Sequence, residues 1–220
     1  MRISVFLFFA LLAASALRAQ PAPLLGLIKD KTYISAHGVF RVPLPVLPEA
    51  GGRIVDNENV VTFDDDFRTH LSIAAFPFSR VQRWEFETRG VKDYLIFFFQ
   101  NFVQPDLQDR FPGSKIESAR FVPSIQGGAL LVYTLHPGGS YFEPKSALGP
   151  PSDPVLAKRG NLCFIHNEHV FIISSELAER ATERSTWQKS TEEEDELLRQ
   201  RLIDIVSGMV FQAPPPSLAR

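Results

Sequence analysis

An α+β fold, a mostly antiparallel sheet sandwiched by helices, is predicted by three features of the sequence. Short segments rich in β-branched and aromatic residues recur in pairs across polar or glycine-containing turns, as antiparallel hairpins do. Two stretches change to a hydrophobic period near 3.6, the mark of helices with one buried face. The 19 phenylalanines in a 220-residue chain that is 45% hydrophobic provide material for an aromatic core.

Met1-Arg2 precedes an apolar run over residues 3–14, then Ala14-Ser15-Ala16 and Leu17-Arg18-Ala19, both in the small-residue form cut by a signal peptidase. A spanning helix needs about 20 consecutive apolar residues. Residues 1–19 are therefore expected to be a cleaved signal peptide, leaving no stable membrane anchor, with the mature protein periplasmic or extracellular. Residues 20–30 are expected to form a flexible leader, residues 31–211 a single α/β domain and residues 212–220 a Pro-rich tail. Cys163 is the lone cysteine, so no internal disulfide can form. Its setting, Leu162-Cys163-Phe164-Ile165, is that of a buried strand and an inert packed thiol.

The elements follow in order. Tyr33-Ile34-Ser35-Ala36 and Val39-Phe40-Arg41-Val42-Pro43 are strands interrupted by His37-Gly38, and Pro43, Pro45 and Pro48 stop the second. Val60-Val61-Thr62-Phe63 and residues 71–76 form a hairpin across Asp64-Asp65-Asp66, and residues 80–86 read as a charged and aromatic connection. After Gly90, residues Val91, Leu95, Phe98, Phe99 and Phe102 share one helical face, and Pro105 kinks or restarts that helix. Residues 115–122 and 129–135 form a second hairpin across Gly127-Gly128. A Pro/Gly/Ser-rich loop over residues 137–154 surrounds Tyr141-Phe142, and loops of that length in a compact domain carry function or lack order. Residues 155–166 and 169–174 pair around the two-residue turn Asn167-Glu168. Thr191 caps the last helix with Glu194 closing a capping box, and Leu198, Leu202, Ile205, Val206 and Met209 form its buried stripe.

The net charge of -2 and the pI near 6.2 argue against nucleic acid as a partner. The sequence holds no G-x-S-x-G, no G-x-G-x-x-G and no phosphate loop with its lysine, so no cofactor is expected and a non-enzymatic role is favoured. His166 and His169 face each other across the predicted hairpin, where Cβ atoms about 4.5–5.5 Å apart can bring two imidazoles to one metal ion beside Glu168. Asp64-Asp65-Asp66 lacks the spaced ligands and glycine of a calcium loop and is expected to be a solvated turn. Trp84, flanked by Arg80 and Arg83, is a candidate interface anchor. Tyr141 and Phe142 are the candidate recognition residues of the long loop.

The segment order resembles the PsbP-like fold, shared by the extrinsic P subunit of the oxygen-evolving photosystem, a Ran-GTPase nucleotide-release factor and many bacterial exported proteins. Three phrases carry the resemblance: residues 33–43, Val91-Lys92-Asp93-Tyr94-Leu95, and residues 202–211. Leu44-Pro45-Val46-Leu47 stands where the family has a tryptophan. The resemblance implies a helix-sandwiched sheet acting as a binding or assembly factor and supplies no active-site residue. The expectation is an exported, non-enzymatic module that binds a protein or small ligand of unknown identity. The alternative is a metal-binding protein or metal-dependent periplasmic enzyme using His166 and His169.

Overall fold

The computed structural model describes residues 23–142 and 154–212. The expected signal peptide, most of the 137–154 loop and nearly all of the tail lie outside the described residues.

Among the described residues, eleven strands make two sheets. The smaller runs β1 (Leu27–Lys29), β2 (Thr32–Ile34), β3 (Phe40–Pro43) and, from the far end of the chain, β11 (Val210–Phe211). The larger comprises β4 (Arg53–Asp56), β5 (Val60–Asp64), β6 (His70–Pro77), β7 (Lys115–Val122), β8 (Ala129–Pro137), β9 (Leu156–His166) and β10 (His169–Glu176), in the spatial order β4-β5-β6-β10-β9-β8-β7. Every pairing is antiparallel. The helices are α1 (Arg80–Phe98), which passes through a π-helical turn (Phe99–Val103) into α2 (Gln104–Arg110), then the short α3 (Glu179–Thr182) and α4 (Thr191–Gly208). Among the described residues no helix is long and apolar enough to cross a membrane.

Four expectations need correction. The leader is not free throughout: Leu27–Lys29 pairs with β2, and the Asp56 carboxylate accepts hydrogen bonds from the backbone N–H groups of Leu25 (2.9 Å) and Gly26 (2.7 Å). Strand β4, whose exposed positions obscure its alternation, extends the first hairpin to three strands. Residues 80–86 are helical and no loop, because the Ser79 hydroxyl accepts from Gln82 N–H while the Gln82 side chain accepts from Ser79 N–H, a capping box well ahead of the apolar stripe that begins at Val91. Gly90, with φ 76° and ψ 170°, marks a kink that only glycine takes without strain and divides the polar first half of α1 from the buried second half. The capping box of α4 is Ser190 with Glu193, one residue before the expected pair. That shift leaves Glu194 to turn inward.

Strand alternation gives the larger sheet two faces. Phe63, Ile73, Leu131, Leu162, Phe164 and Ile173 point to one side and are covered by Leu198, Leu202 and Val206 of α4 and by the smaller sheet. Here the buried Lys158 ammonium meets Glu117 (2.6 Å), Asp195 (2.6 Å) and Glu194 (3.3 Å). Glu194 also accepts from Arg180 (2.6 Å) and Trp187 Nε1 (2.8 Å), so the first turn of α4 is fastened to β9. On the other side Leu130, Val132, Cys163, Val170 and Ile172 pack against Tyr94, Leu95, Phe98 and Phe99. Cys163 is fully buried, and burial pushes its thiol up to about 12, which makes it inert at neutral pH.

Candidate functional site: a groove beside α1 and α2

Helices α1 and α2 are too short to cover their whole face of the seven-stranded sheet. A cavity of about 770 Å³ opens where they stop, walled by Phe98, Phe102, Val103 and Leu107 and floored by β4, β5, β6, β9 and β10. The floor changes character row by row, because strand register brings like residues side by side. Next to the helices lies an apolar row, with Val60 opposite Ala74, Ala74 opposite Ile172 and Ile172 opposite Cys163. The next row is neutral and polar, running Thr62, Ser72, Ser174 and Asn161 across β5, β6, β10 and β9. The third row is charged, with Asp64 opposite His70 and Arg159 opposite Glu176.

The polar row continues into the protein as a chain of hydrogen bonds. The Ser174 hydroxyl donates to Asn161 Oδ1 (2.7 Å), and Asn161 Nδ2 donates to Thr134 Oγ1 (3.1 Å) and to Val132 O (3.2 Å). Thr134 Oγ1 lies 2.8 Å from His136 Nε2, and Ser114 Oγ lies 2.7 Å from His136 Nδ1. Since the Ser114 hydroxyl donates to Phe111 O (2.5 Å), its remaining lone pairs accept from Nδ1–H, and Nε2 accepts from Thr134. This network assigns a neutral imidazole with the proton on Nδ1. Burial, with the Arg159 charge nearby, pushes His136 down to about 3, so it stays neutral across the physiological range.

The charged row is closed on itself. Arg159 pairs with Glu176 at 3.2 Å, donates to Gly139 O, and lies between the rings of Phe111 (4.5 Å) and Tyr141 (4.4 Å). Asp64 accepts from His70 Nδ1, and the outer Asp106 and Arg110 pair at 2.9 Å. His70 is only 9% exposed, lines the groove, and its Nε2 has no partner among the described residues.

The candidate residues of the sequence fall in different places. Tyr141 lies at the groove mouth, 48% exposed, its ring stacked on His70 with centroids 3.4 Å apart. Phe142 is half-buried beside it and its backbone N–H donates to Ser140 Oγ (3.1 Å). Trp84 is on the outer half of α1, 60% exposed and away from the groove lining. His166 and His169 are directly paired across their turn, where Asn167 (φ 45°) and Glu168 (φ 61°) take the left-handed conformation of a primed hairpin turn. The two imidazoles are otherwise engaged: His166 stacks on Phe211 (4.3 Å), His169 Nδ1 donates to Asn167 O (2.7 Å), and Glu168 pairs with Arg83. Among the described residues no three His, Cys, Asp or Glu side chains gather around a point that could hold a metal. The three turn acids go to separate partners, Asp64 to His70, Asp66 to Arg53 (2.7 Å), and Asp65 to the backbone N–H groups of Phe67, Arg68 and Thr69.

The fold is similar to that of the Ran-binding protein Mog1p of Saccharomyces cerevisiae, at 10% identity, covering 85% of this chain and 97% of that one with a TM-score of 0.48. It is similar also to the PsbP of the cyanobacterium Synechocystis, at 12% identity over 87% of this chain and 95% of that one, TM-score 0.48. A Bacteroides thetaiotaomicron chain matches at 13% identity over 84% of this chain and 49% of that one, with a TM-score of 0.42. No protein-family model and no curated protein matches the sequence. The likeness is one of fold. At these identities it transfers no site residue.

Thr62, Ser72, Ser174, Asn161 and His70 did not stand out in the sequence. Each is a polar residue at an inward-facing strand position, as in Val61-Thr62-Phe63 or Leu71-Ser72-Ile73. A polar residue in that phase was the available signal, but only the register joins four of them into one row.

Proposed function

We propose that the chain is an exported, non-enzymatic binding module that holds a small ligand in the groove beside α1 and α2. The observation that carries this is the graded floor, apolar to hydroxyl to charged, in a cavity of about 770 Å³. That size lies within the range of small-molecule sites, which are mostly apolar with a few placed polar groups. Tyr141 at the mouth adds an aromatic surface for recognition. Export is supported by the charged start, apolar run and small-residue cleavage sequences of residues 1–19.

Two measurements test the proposal. Native mass spectrometry of the purified mature protein, after incubation with an envelope extract, is expected to show a noncovalent small-molecule adduct. Ser72→Phe, which fills the floor of the groove, is expected to lose it; no adduct, or the same adduct on both proteins, overturns the groove assignment. Intact mass of the exported chain is expected to match a start at Gln20, and a full-length mass in the cell interior overturns export.

A further inference from the structure

The polar groups of the groove divide sharply into satisfied and unsatisfied sets. Every charged side chain in the lining is already engaged within the protein: Asp64 accepts from the His70 ring, Asp106 pairs with Arg110, and Arg159 pairs with Glu176. None is left over as a counter-charge for an ionised ligand. The neutral groups are the reverse. The Thr62 and Ser72 hydroxyls have no hydrogen-bond partner among the described residues, and Ser174, whose proton goes to Asn161, retains free lone pairs. The nearly buried His70 adds an unpartnered Nε2. Neighbouring strands are about 4.8 Å apart, so the three hydroxyls form a row of neutral donors and acceptors at that spacing. Facing them across the cavity are Phe98, Phe102, Val103 and Leu107.

We infer that the groove takes a neutral amphiphile, a molecule with an apolar body against the α1–α2 wall and an uncharged, hydroxyl- or carbonyl-bearing edge on the Thr62-Ser72-Ser174 row. This rests on the groove being the binding site proposed above. An ionised head seated on that row would lose its hydration with no counter-charge to replace it, which is costly for any buried charge. A neutral head exchanges its water hydrogen bonds for those of the hydroxyls.

Isothermal titration of the mature protein with three probes of one tail length, octyl glucoside, octyl sulfate and octyltrimethylammonium, each below its micellar concentration, tests the inference. Octyl glucoside is expected to bind at least about tenfold more tightly than either charged probe. Ser72→Val and Thr62→Val are each expected to weaken it about two- to tenfold with unchanged denaturation midpoints, as loss of one neutral hydrogen bond does. Trp84→Ala is expected to leave binding as it was. Equal binding of all three probes, sensitive to Ser72→Phe, overturns the neutral class and leaves the groove standing as the site. Tighter binding of the sulfate does the same. Absence of binding by every probe, or binding lost in Trp84→Ala and kept in Ser72→Phe, overturns the inference and the groove together.

Discussion

The two faces of the seven-stranded sheet are built from alternate residues of the same strands and yet do different work. Toward α4, strand positions such as Leu131, Leu162, Phe164 and Ile173 are apolar and almost wholly buried, and the charges there are gathered into one cluster around Lys158. Toward α1 and α2, the rows beside the helices are apolar, and the Thr62, Ser72 and Ser174 hydroxyls beyond them are left half-exposed. On the proposed function, the contrast sets the covered core on one side and the ligand-binding groove on the other. A half-exposed hydroxyl without a protein partner contributes little to folding, so its presence at an inward position is best explained by what it meets from outside.

The largest expected effect breaks the covered side. Phe164 is fully buried and stacked on Phe171 with centroids 5.2 Å apart, so Phe164→Ala is expected to cost about 3–5 kcal/mol in denaturant unfolding, the range of core aromatic truncations. A loss below about 1 kcal/mol would show that this face is not the one holding the fold.

Acid separates the two faces by pH window. His136, on the groove side, has its pKa pushed from 6.5 down to about 3, so the unfolded chain binds a proton that the folded chain refuses. Its contribution is fully present above pH 6.5 and drains away as pH falls toward 3. Burial alone would raise Glu194, on the α4 side, but hydrogen bonds from Arg180 and Trp187 and the charges of Arg180 and Lys158 hold it below its ordinary 4.5. Its contribution is present above that value and is lost only below it. Burial also holds His166 below its ordinary 6.5, so variants must be compared with wild type. His136→Gln is expected to flatten the decline in stability between about pH 6.5 and 4.5, and Glu194→Gln to flatten it only below that. Superimposable wild-type and His136→Gln profiles would remove the assignment of a neutral buried His136.

Within the groove face, a smaller pair of effects separates the wired end of the polar row from its free end. Asn161 is 2% exposed and links Ser174 to Thr134; Asn161→Leu leaves both hydroxyls short of a partner and is expected to cost about 1–3 kcal/mol. Ser72→Val removes a hydroxyl with no protein partner and is expected to change stability by less than about 0.5 kcal/mol. Thermal or denaturant melts of the two variants check both values, and a large loss in Ser72→Val would make that row structural.

Much of the fold is legible in the residues. The 3.6 period after Gly90, the Asn167-Glu168 turn and the paired strand runs place the second half of α1, the β9–β10 hairpin and the stripe of α4. What escapes notice has a physical cause in each case. Strand β4 alternates weakly because it is an edge with exposed positions such as Val55, 64% exposed. The first half of α1 shows no apolar stripe because it covers little of the core, and the capping box at Ser79 and Gln82 is the feature that marks its start. The groove is a product of long-range register: Thr62, Ser72 and Ser174 lie in three strands separated by up to 112 residues and become neighbours only when β6 pairs with both β5 and β10. Tyr141, by contrast, is visible as an aromatic in a long loop, and the structure places it at the groove mouth.

The most direct test is a backbone amide shift map of the mature protein titrated with octyl glucoside. The account predicts that the perturbed amides cluster on Thr62, Ser72 and Ser174 and on Phe98, Phe102 and Val103 opposite them, with those of β11 and α4 unmoved. Shifts confined to the α4 side, to the His166–His169 turn or to the surface around Trp84 would contradict it.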